Sequence, residues 1–388
     1  MKNKIIFRGF IILFSISVLV NIVFLKYDVF DYFKKGRLEK FDTYTSDLAH
    51  LDYNKLEETV VSKGLEMASS EKVEMIWNEN TGLTATVLGY FSNRNENEFK
   101  KYNFPRAFLL YSLAEYYREG EKLKEVKDLF DGIIDSTGNP IFKLDKIDQI
   151  PFGLTSILLY EKFHEDKYLK FSNTLYDFLL KSVNNEGIIT YRKGQKILYV
   201  DVLGMIVPFL TNYSVITSTQ EPIKLAKKQI SFFIENGLDK QDYLPVHGFD
   251  LRSKNDIGST NWGRGIGWYY IALANMYKLD HSYSQELQGL HNSLMRIQNS
   301  DKLWSQFPGS SDVFDSSATT MFLYSERMSN NIDEQRRKAV LSNLVKYIDK
   351  EGTIMQSSGD TYSANNYSKS FGKSELSQAF LILYLASK

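Results

Sequence analysis

Two aspartates, one histidine and a short run of tryptophan, glycine and arginine are the residues whose types and spacing suit chemistry. Asp148 stands just ahead of the helical pattern FGLTSILLYEKF from Phe152, and Asp201 opens the apolar pattern VDVLGMIVPFL from Val200. A pair of carboxylates can share general acid and base work. His247 and Asp250 lie in the long loop from Asp239 to Trp262, and Trp304 and Gln306 lie in another loop. The chain has no cysteine, so thiolate nucleophiles, disulfides and Cys-ligated zinc are excluded, and chemistry falls to carboxylates, His, Tyr and hydroxyls.

Each residue alone also has a plain structural reading. Asp148 and Asp201 stand where helix N-terminal caps stand. His247 could be a structural loop residue, Arg264 an ion-pair partner, and Trp262 and Trp268 core aromatics. The segment WGRGIGW is harder to explain that way, because it places two Trp, one Arg and three Gly in seven residues. That composition costs helix propensity, and core packing does not require it. Glycines let the backbone approach closely while the rings and the guanidinium face a ligand.

The elements that must position these residues are helices. Amphipathic or apolar runs at helical spacing begin near Pro105, Phe152, Lys167, Val200, Pro222, Gly265, Ser284, Ser317, Asp333 and Ser374, with further segments from Thr45 to Met67 and around Leu83 to Phe91. Some are apolar nearly all round, such as Leu203 to Leu210 and Ala379 to Ala386, while their neighbours carry a charged face. That alternation predicts an all-α double ring, an (α/α)6 barrel with buried inner and amphipathic outer helices. Loops entering the inner helices would gather at one rim, where Asp148, Asp201, Asn261 to Gly265, Ser316 and Ser317 all fall. Helix N-termini at that rim favour an anionic ligand group.

Ahead of the barrel, Ile5 to Leu25 is apolar over about the length that crosses a bilayer core of roughly 30 Å, with Arg8 able to snorkel. No small-x-small cleavage site follows, which favours an uncleaved anchor over a signal peptide. Lys2, Lys4 and Arg8 put the N-terminus inside, whereas Lys26, Lys34, Lys35, Arg37 and Lys40 argue the other way. The expected organisation is an anchor over 1–25, a connector over 26–44 and one domain over 45–388, extracytoplasmic. The 47 basic and 47 acidic residues form no long basic stripe, so nucleic acid is not an expected partner. The 25 Tyr and 26 Phe suit sugar stacking or a core equally.

NWGRGIGW, together with VHGFD and YVDVLGMIVPFL, resembles the unsaturated glucuronyl and rhamnogalacturonyl hydrolases, glycoside hydrolase families 88 and 105. The likeness extends to Asp148 ahead of G-x-x-x-I-L-L-Y, to Trp304-Ser-Gln and to Asp315-Ser-Ser-Ala-Thr; the segment around Trp77 fits poorly. The resemblance implies that Asp201 is the general acid and base and that Asp148 is a second carboxylate gripping sugar hydroxyls. It further implies that His247, Trp262, Arg264, Trp268, Gln306 and Ser317 line a sugar subsite, with no metal or organic cofactor. The substrate would be an oligosaccharide ending in a Δ4,5-unsaturated uronic acid. An ordinary inverting glycosidase and a catalytically idle glycan-binding or assembly protein are the competing readings. Removing Met1 to Lys40 is expected to leave a soluble helical protein, because no apolar run of membrane length recurs; aggregation of that fragment without detergent would count against a single anchor.

Overall fold

The structure, a computed structural model, describes residues 2–25, 38–45, 51–77, 100–310, 313–331, 334–361 and 363–386. The expected helix around Leu83 to Phe91 and the first part of the expected connector lie outside the described residues. Helix α1 (Lys2–Phe24) has a mean hydropathy of 2.3 over Ile6–Val23, and none of that stretch is buried. Among the described residues it is the one helix long and apolar enough to cross a membrane.

The helices that follow are α2 (Tyr53–Ser69), α3 (Phe104–Tyr116), α4 (Leu123–Asp131), α5 (Phe152–Phe163), α6 (Asp166–Ser182), α7 (Asp201–Thr217), α8 (Glu221–Asn236), α9 (Gly263–Tyr277), α10 (Ser284–Arg296), α11 (Ser316–Met328), α12 (Glu334–Leu344) and α13 (Glu375–Ala386). Their burial separates them into two layers. In α9 every residue from Gly263 to Met276 is buried. By contrast, α6 buries only Tyr168, Phe171, Ser172, Leu175 and Leu179, a stripe of helical period. A helix that is apolar all round must be covered on all sides, and one with a single stripe needs cover on one side only. The odd-numbered helices from α3 to α13 are accordingly the inner ring, and the even-numbered ones the outer ring. Each inner helix packs on the next, and α13 packs back on α3, which closes the (α/α)6 barrel.

Closure is fixed by a buried ion pair. Arg106 of α3 donates from Nε and Nη2 to the two carboxylate oxygens of Glu375 at the start of α13, both at 2.8 Å, and from Nη2 to the Met67 carbonyl at the end of α2. Glu375 also accepts from the Glu74 backbone N–H and is fully buried. The first and last inner helices are thereby locked at the mouth. Close approach within the ring uses small residues: a Cβ on Gly204 of α7 would lie 2.5 Å from the Trp268 ring of α9.

The outer helices end alike. Asp135, Asn184, Asp239, Asn299 and Asp349 follow α4, α6, α8, α10 and α12, and the Oδ1 of each accepts backbone N–H groups two to four residues on. In three of these turns a glycine at positive φ (Gly138, Gly187, Gly352) completes the reversal. This is the internal repeat of the barrel, and it sits in the turns rather than in the helices.

Residues 38–44, expected within a connector, lie against the barrel. Glu39 N donates to Phe371 O at 3.0 Å, and Tyr44 N to Ile348 O at 2.7 Å. A cut after Arg37 would keep these bonds, whereas one after Lys40 would lose the first. The closing ion pair gives a sharper test. Arg106→Met should cost about 3–5 kcal/mol in urea unfolding, because it strands the Glu375 carboxylate in the interior. Arg106→Met combined with Glu375→Gln should recover much of that loss; a double variant no better than the single one would show that the pair does not act by charge.

Candidate active site

The inner helices run in one direction, so their N-termini at Phe104, Phe152, Asp201, Gly263, Ser316 and Glu375 ring a single mouth. Over it lies a small antiparallel sheet of β1 (Ile197–Tyr199), β2 (Gly248–Asp250) and β3 (Asn255–Ile257), with Tyr199 opposite Gly248. One residue beyond this register, Val200 N donates to His247 O at 3.0 Å. The sheet thus brings His247 beside the start of α7, where His247 Nε2 is 3.5 Å from Asp201 Oδ2. On its other side His247 Nδ1 is 3.2 Å from the Ala364 carbonyl and 3.1 Å from the Tyr367 hydroxyl. A carbonyl can only accept, so the bond to Ala364 puts a hydrogen on Nδ1 and turns Nε2 toward Asp201. The imidazole lies on the Trp262 ring, with centroids 4.1 Å apart.

Asp201 is the first residue of α7, where the helix dipole supports negative charge. Its Oδ2 is buried and has no hydrogen-bond partner among the described residues. Asp148 is the opposite case. It sits in the short turn Ile147–Gln149, almost wholly buried, and both oxygens are engaged: the Tyr191 hydroxyl donates to Oδ1, and Arg192 Nη1 donates to Oδ2 at 3.3 Å. Burial and the Asp148 charge push the Tyr191 phenol well above its ordinary range. The helices that Asp148 and Asp201 precede or open carry no side-chain cap.

Arg264 is also buried, and its planar fork is spent on backbone. Nη1 donates to Ser358 O at 3.1 Å and Nη2 to Gly359 O at 2.7 Å. These carbonyls belong to a strap that starts in β4 (Ser357–Ser358), which pairs with β5 (Phe371–Gly372). The strap is held again by Asp315, which accepts from the Ser358 N–H and hydroxyl at 3.1 and 2.7 Å. Asp315 also caps α11 by accepting from the N–H and hydroxyl of Ser317. The next strap residue, Asp360, donates its N–H to Ile76 O at 2.8 Å and faces the mouth. Burial pushes its carboxyl up to about 7; Arg264 opposes the shift, and Asp148 and Asp201 add to it.

These groups enclose a cavity of about 230 Å³ lined by Phe104, Tyr191, Arg192, Tyr199, Asp201, His247, Arg264, Trp268 and Asp360, among others. A larger cavity of about 340 Å³ opens at the other end of the barrel, among Tyr111, Glu115, Arg118, Asn275 and Lys278. It lies at the inner-helix C-termini, away from Asp201 and His247.

A family model described as Glycosyl Hydrolase Family 88 matches residues 83–378. The chain belongs to this glycoside hydrolase family. Among solved structures, a possible member of family 105 from Klebsiella pneumoniae superposes with a TM-score of 0.70 at 15% identity, covering 91% of this chain and 98% of that one. An unsaturated glucuronyl hydrolase from Bacillus sp. GL1, responsible for glycosaminoglycan degradation, gives 0.60 at 15% identity, over 85% and 96%. An α-1,6-mannanase of Salegentibacter gives 0.59 at 13% identity, over 87% and 99%. At such identities the likenesses establish a shared fold, and the fold spans more than one glycosidase reaction.

Of the residues singled out from sequence, Asp201, His247, Arg264 and Trp268 line the mouth cavity. Asp148 stands behind Tyr191 and Arg192. Trp262 lies beneath His247, 1% exposed, and the Arg264 guanidinium, 5.5 Å from the Trp262 ring centroid, spends its planar fork on the strap. Gln306 donates to Ser368 O and Ser317 to Asp315, so both support the rim from within. Sequence reasoning passed over Tyr191, Arg192, Tyr199 and Asp360. Tyr191 and Arg192 stand between two helices with no motif of their own, and Asp360 lies in a Ser-rich loop that reads as a plain turn.

Arg264→Lys should raise KM several-fold with the fold intact, since an ammonium cannot hold two adjacent carbonyls as a planar fork does. The same variant should speed hydrogen exchange at the Ser358 to Asp360 amides. Unchanged exchange there would show that the strap does not depend on this guanidinium.

Proposed function

We propose that the chain is a hydrolase of oligosaccharides that end in a Δ4,5-unsaturated uronic acid, held at a membrane by α1 with its barrel on the extracytoplasmic side. The observation that carries this reading is the contrast between the two carboxylates. Asp201 offers a buried oxygen with no hydrogen-bond partner among the described residues, in the wall of a cavity and next to the Nε2 of a histidine whose other nitrogen is engaged. Asp148 has both oxygens taken by Tyr191 and Arg192. One free carboxyl suits a reaction in which a single group gives a proton and later takes one. An inverting glycosidase instead needs an acid and a base working from opposite sides of the sugar, and Asp148, the carboxylate that the sequence pairs with Asp201, is not available for either part.

In the proposed reaction the Asp201 carboxyl delivers its proton to C4 of the C4=C5 bond, and positive charge develops at C5 and the ring oxygen. Water adds at C5 and gives up a proton to the Asp201 carboxylate, which restores the acid. The resulting hemiketal opens, and the glycosidic bond to the next sugar is lost as the ring rearranges. His247 beside Asp201 orients the carboxyl, and Trp268 with Phe104 offers an aromatic wall to the sugar. Family membership and the likeness to the Bacillus sp. GL1 unsaturated glucuronyl hydrolase support the substrate class. The exposed apolar stretch Ile6–Val23 supports the anchor, and the basic Lys2, Lys4 and Arg8 ahead of its core support the orientation.

The test is the loss of the alkene's ultraviolet absorbance when the full chain meets a panel of lyase-generated unsaturated oligosaccharides. Asp201→Asn keeps the shape but cannot carry the proton, so turnover should fall roughly 10²- to 10⁴-fold. Turnover of saturated glycans alone would favour the inverting reading, and no turnover of either class would favour a binding protein. Near wild-type consumption by a folded Asp201→Asn chain would overturn the mechanism.

A further inference from the structure

Among the described residues the mouth holds the carboxylates of Asp148, Asp201 and Asp360, and the proposed reaction uses one and explains a second. Asp148 is neutralised by Arg192 and the Tyr191 hydroxyl. Asp201 must carry a proton to begin the reaction. Arg264 brings a positive charge that donates to the neutral carbonyls of Ser358 and Gly359, with no anion bonded to it among the described residues. The groups that face Asp360 are Arg264 from α9, Asp201 from α7, and Asp148 from the turn before α5. Tyr191 and Arg192 from the loop before β1, and His247 with Tyr199 from the sheet, share the same wall. From the segment after α2 comes the Ile76 carbonyl. With Asp201 protonated, the charge of Arg264 is balanced either by Asp360 or by something that enters the cavity.

The backbone that carries Asp360 is held in place. Its strap is pinned by the Arg264 fork, by Asp315 at Ser358, by Gly359 N to Ser370 O at 3.1 Å and by its own N–H to Ile76. We propose that Asp360 is the specificity-determining residue of the mouth: as a neutral acid it leaves the Arg264 charge free and donates a hydrogen bond to the carboxylate of a uronate-ended ligand, and as an anion it competes with that carboxylate for the same charge. This assignment rests on the uronate reading and extends it to how the uronate is chosen. A carboxyl-to-carboxylate bond is a charge-assisted one, stronger than a bond between neutral groups. Binding is therefore coupled to protonation, and by linkage the bound anion must raise the affinity of Asp360 for its proton. Since burial already holds that carboxyl up at about 7, the competition falls within the neutral range.

Calorimetry on the full chain in detergent, carrying Asp201→Asn so that nothing turns over, measures this directly. The probes are an unsaturated uronyl disaccharide and its methyl ester, titrated at pH 6, 7 and 8 in buffers of different ionisation enthalpy. The acid should bind several-fold more weakly at pH 8 than at pH 6, because the competent protonated fraction falls over that range. Its binding should take up a fraction of a proton that grows as the pH rises from 6 to 8. The ester should show neither effect, and adding Asp360→Asn should abolish both for the acid. Proton uptake that persists in the Asp360→Asn chain, an ester with the same pH dependence, or no binding of the acid at any pH would overturn the proposal. The alkene assay on the unsubstituted chain reports separately on the hydrolase reading. Binding coupled to Asp360 without alkene loss would sink the reaction and leave the recognition standing, while alkene loss with pH-independent binding would do the reverse.

Discussion

A ring of six inner helices has to close, and the pair of Arg106 and Glu375 sets where it does so. Both side chains are almost fully buried, so the charges are stable only together, with the Met67 carbonyl and the Glu74 N–H completing their bonds. The pair joins α3 to α13 at the mouth and draws in the end of α2. Burial pushes the Glu375 carboxyl upward and the Arg106 charge opposes it, which is the electrostatic expression of the same contact. Everything at the rim is referred to this closure, because the inner-helix N-termini that carry the site are spaced by it.

From that frame a second set of polar contacts builds the wall of the site. Asp315 serves two masters, capping α11 and holding Ser358, while Arg264 reaches from α9 to the next two carbonyls of the same strap. Two inner helices therefore grip one loop, and the loop presents Asp360 to Asp201 and Arg264. The three-stranded sheet does the corresponding task on the other side, where backbone pairing rather than a side-chain network brings His247 to Asp201. Buried polar groups of this kind are costly unless bonded, and the bonds of Asp315, Arg264 and Ser358 hold the strap in one arrangement. Among the described rim residues, Trp262 Nε1, the Ser316 hydroxyl and Asp201 Oδ2 lack a partner, and the Asp201 oxygen lies where substrate chemistry would supply the missing contact.

Much of the site was legible in the residues. Type, spacing and resemblance single out Asp201, His247, Arg264 and Trp268, and these converge on one cavity. The same grounds single out Gln306 and Ser317, and each is bonded inward to the rim. Asp148 illustrates the limit most plainly. An aspartate ahead of an inner helix can point into the mouth or be consumed by its neighbours, and only the approach of Tyr191 and Arg192, far along the chain, decides between the two.

The sequence by itself determined the double ring, because helices apolar all round alternate with helices that carry one apolar stripe, and burial on all sides or on one side follows from that pattern alone. It also determined the apolar character of α1 and the exclusion of cysteine chemistry. Tertiary structure decided which polar residues are free. Whether a carboxylate or guanidinium is available depends on contacts between segments distant in the chain, such as Arg264 with Ser358 and Gly359, or Asp360 set against Asp201. Local propensity does not encode such contacts, since they arise only when the ring closes and brings the rim loops within bonding distance.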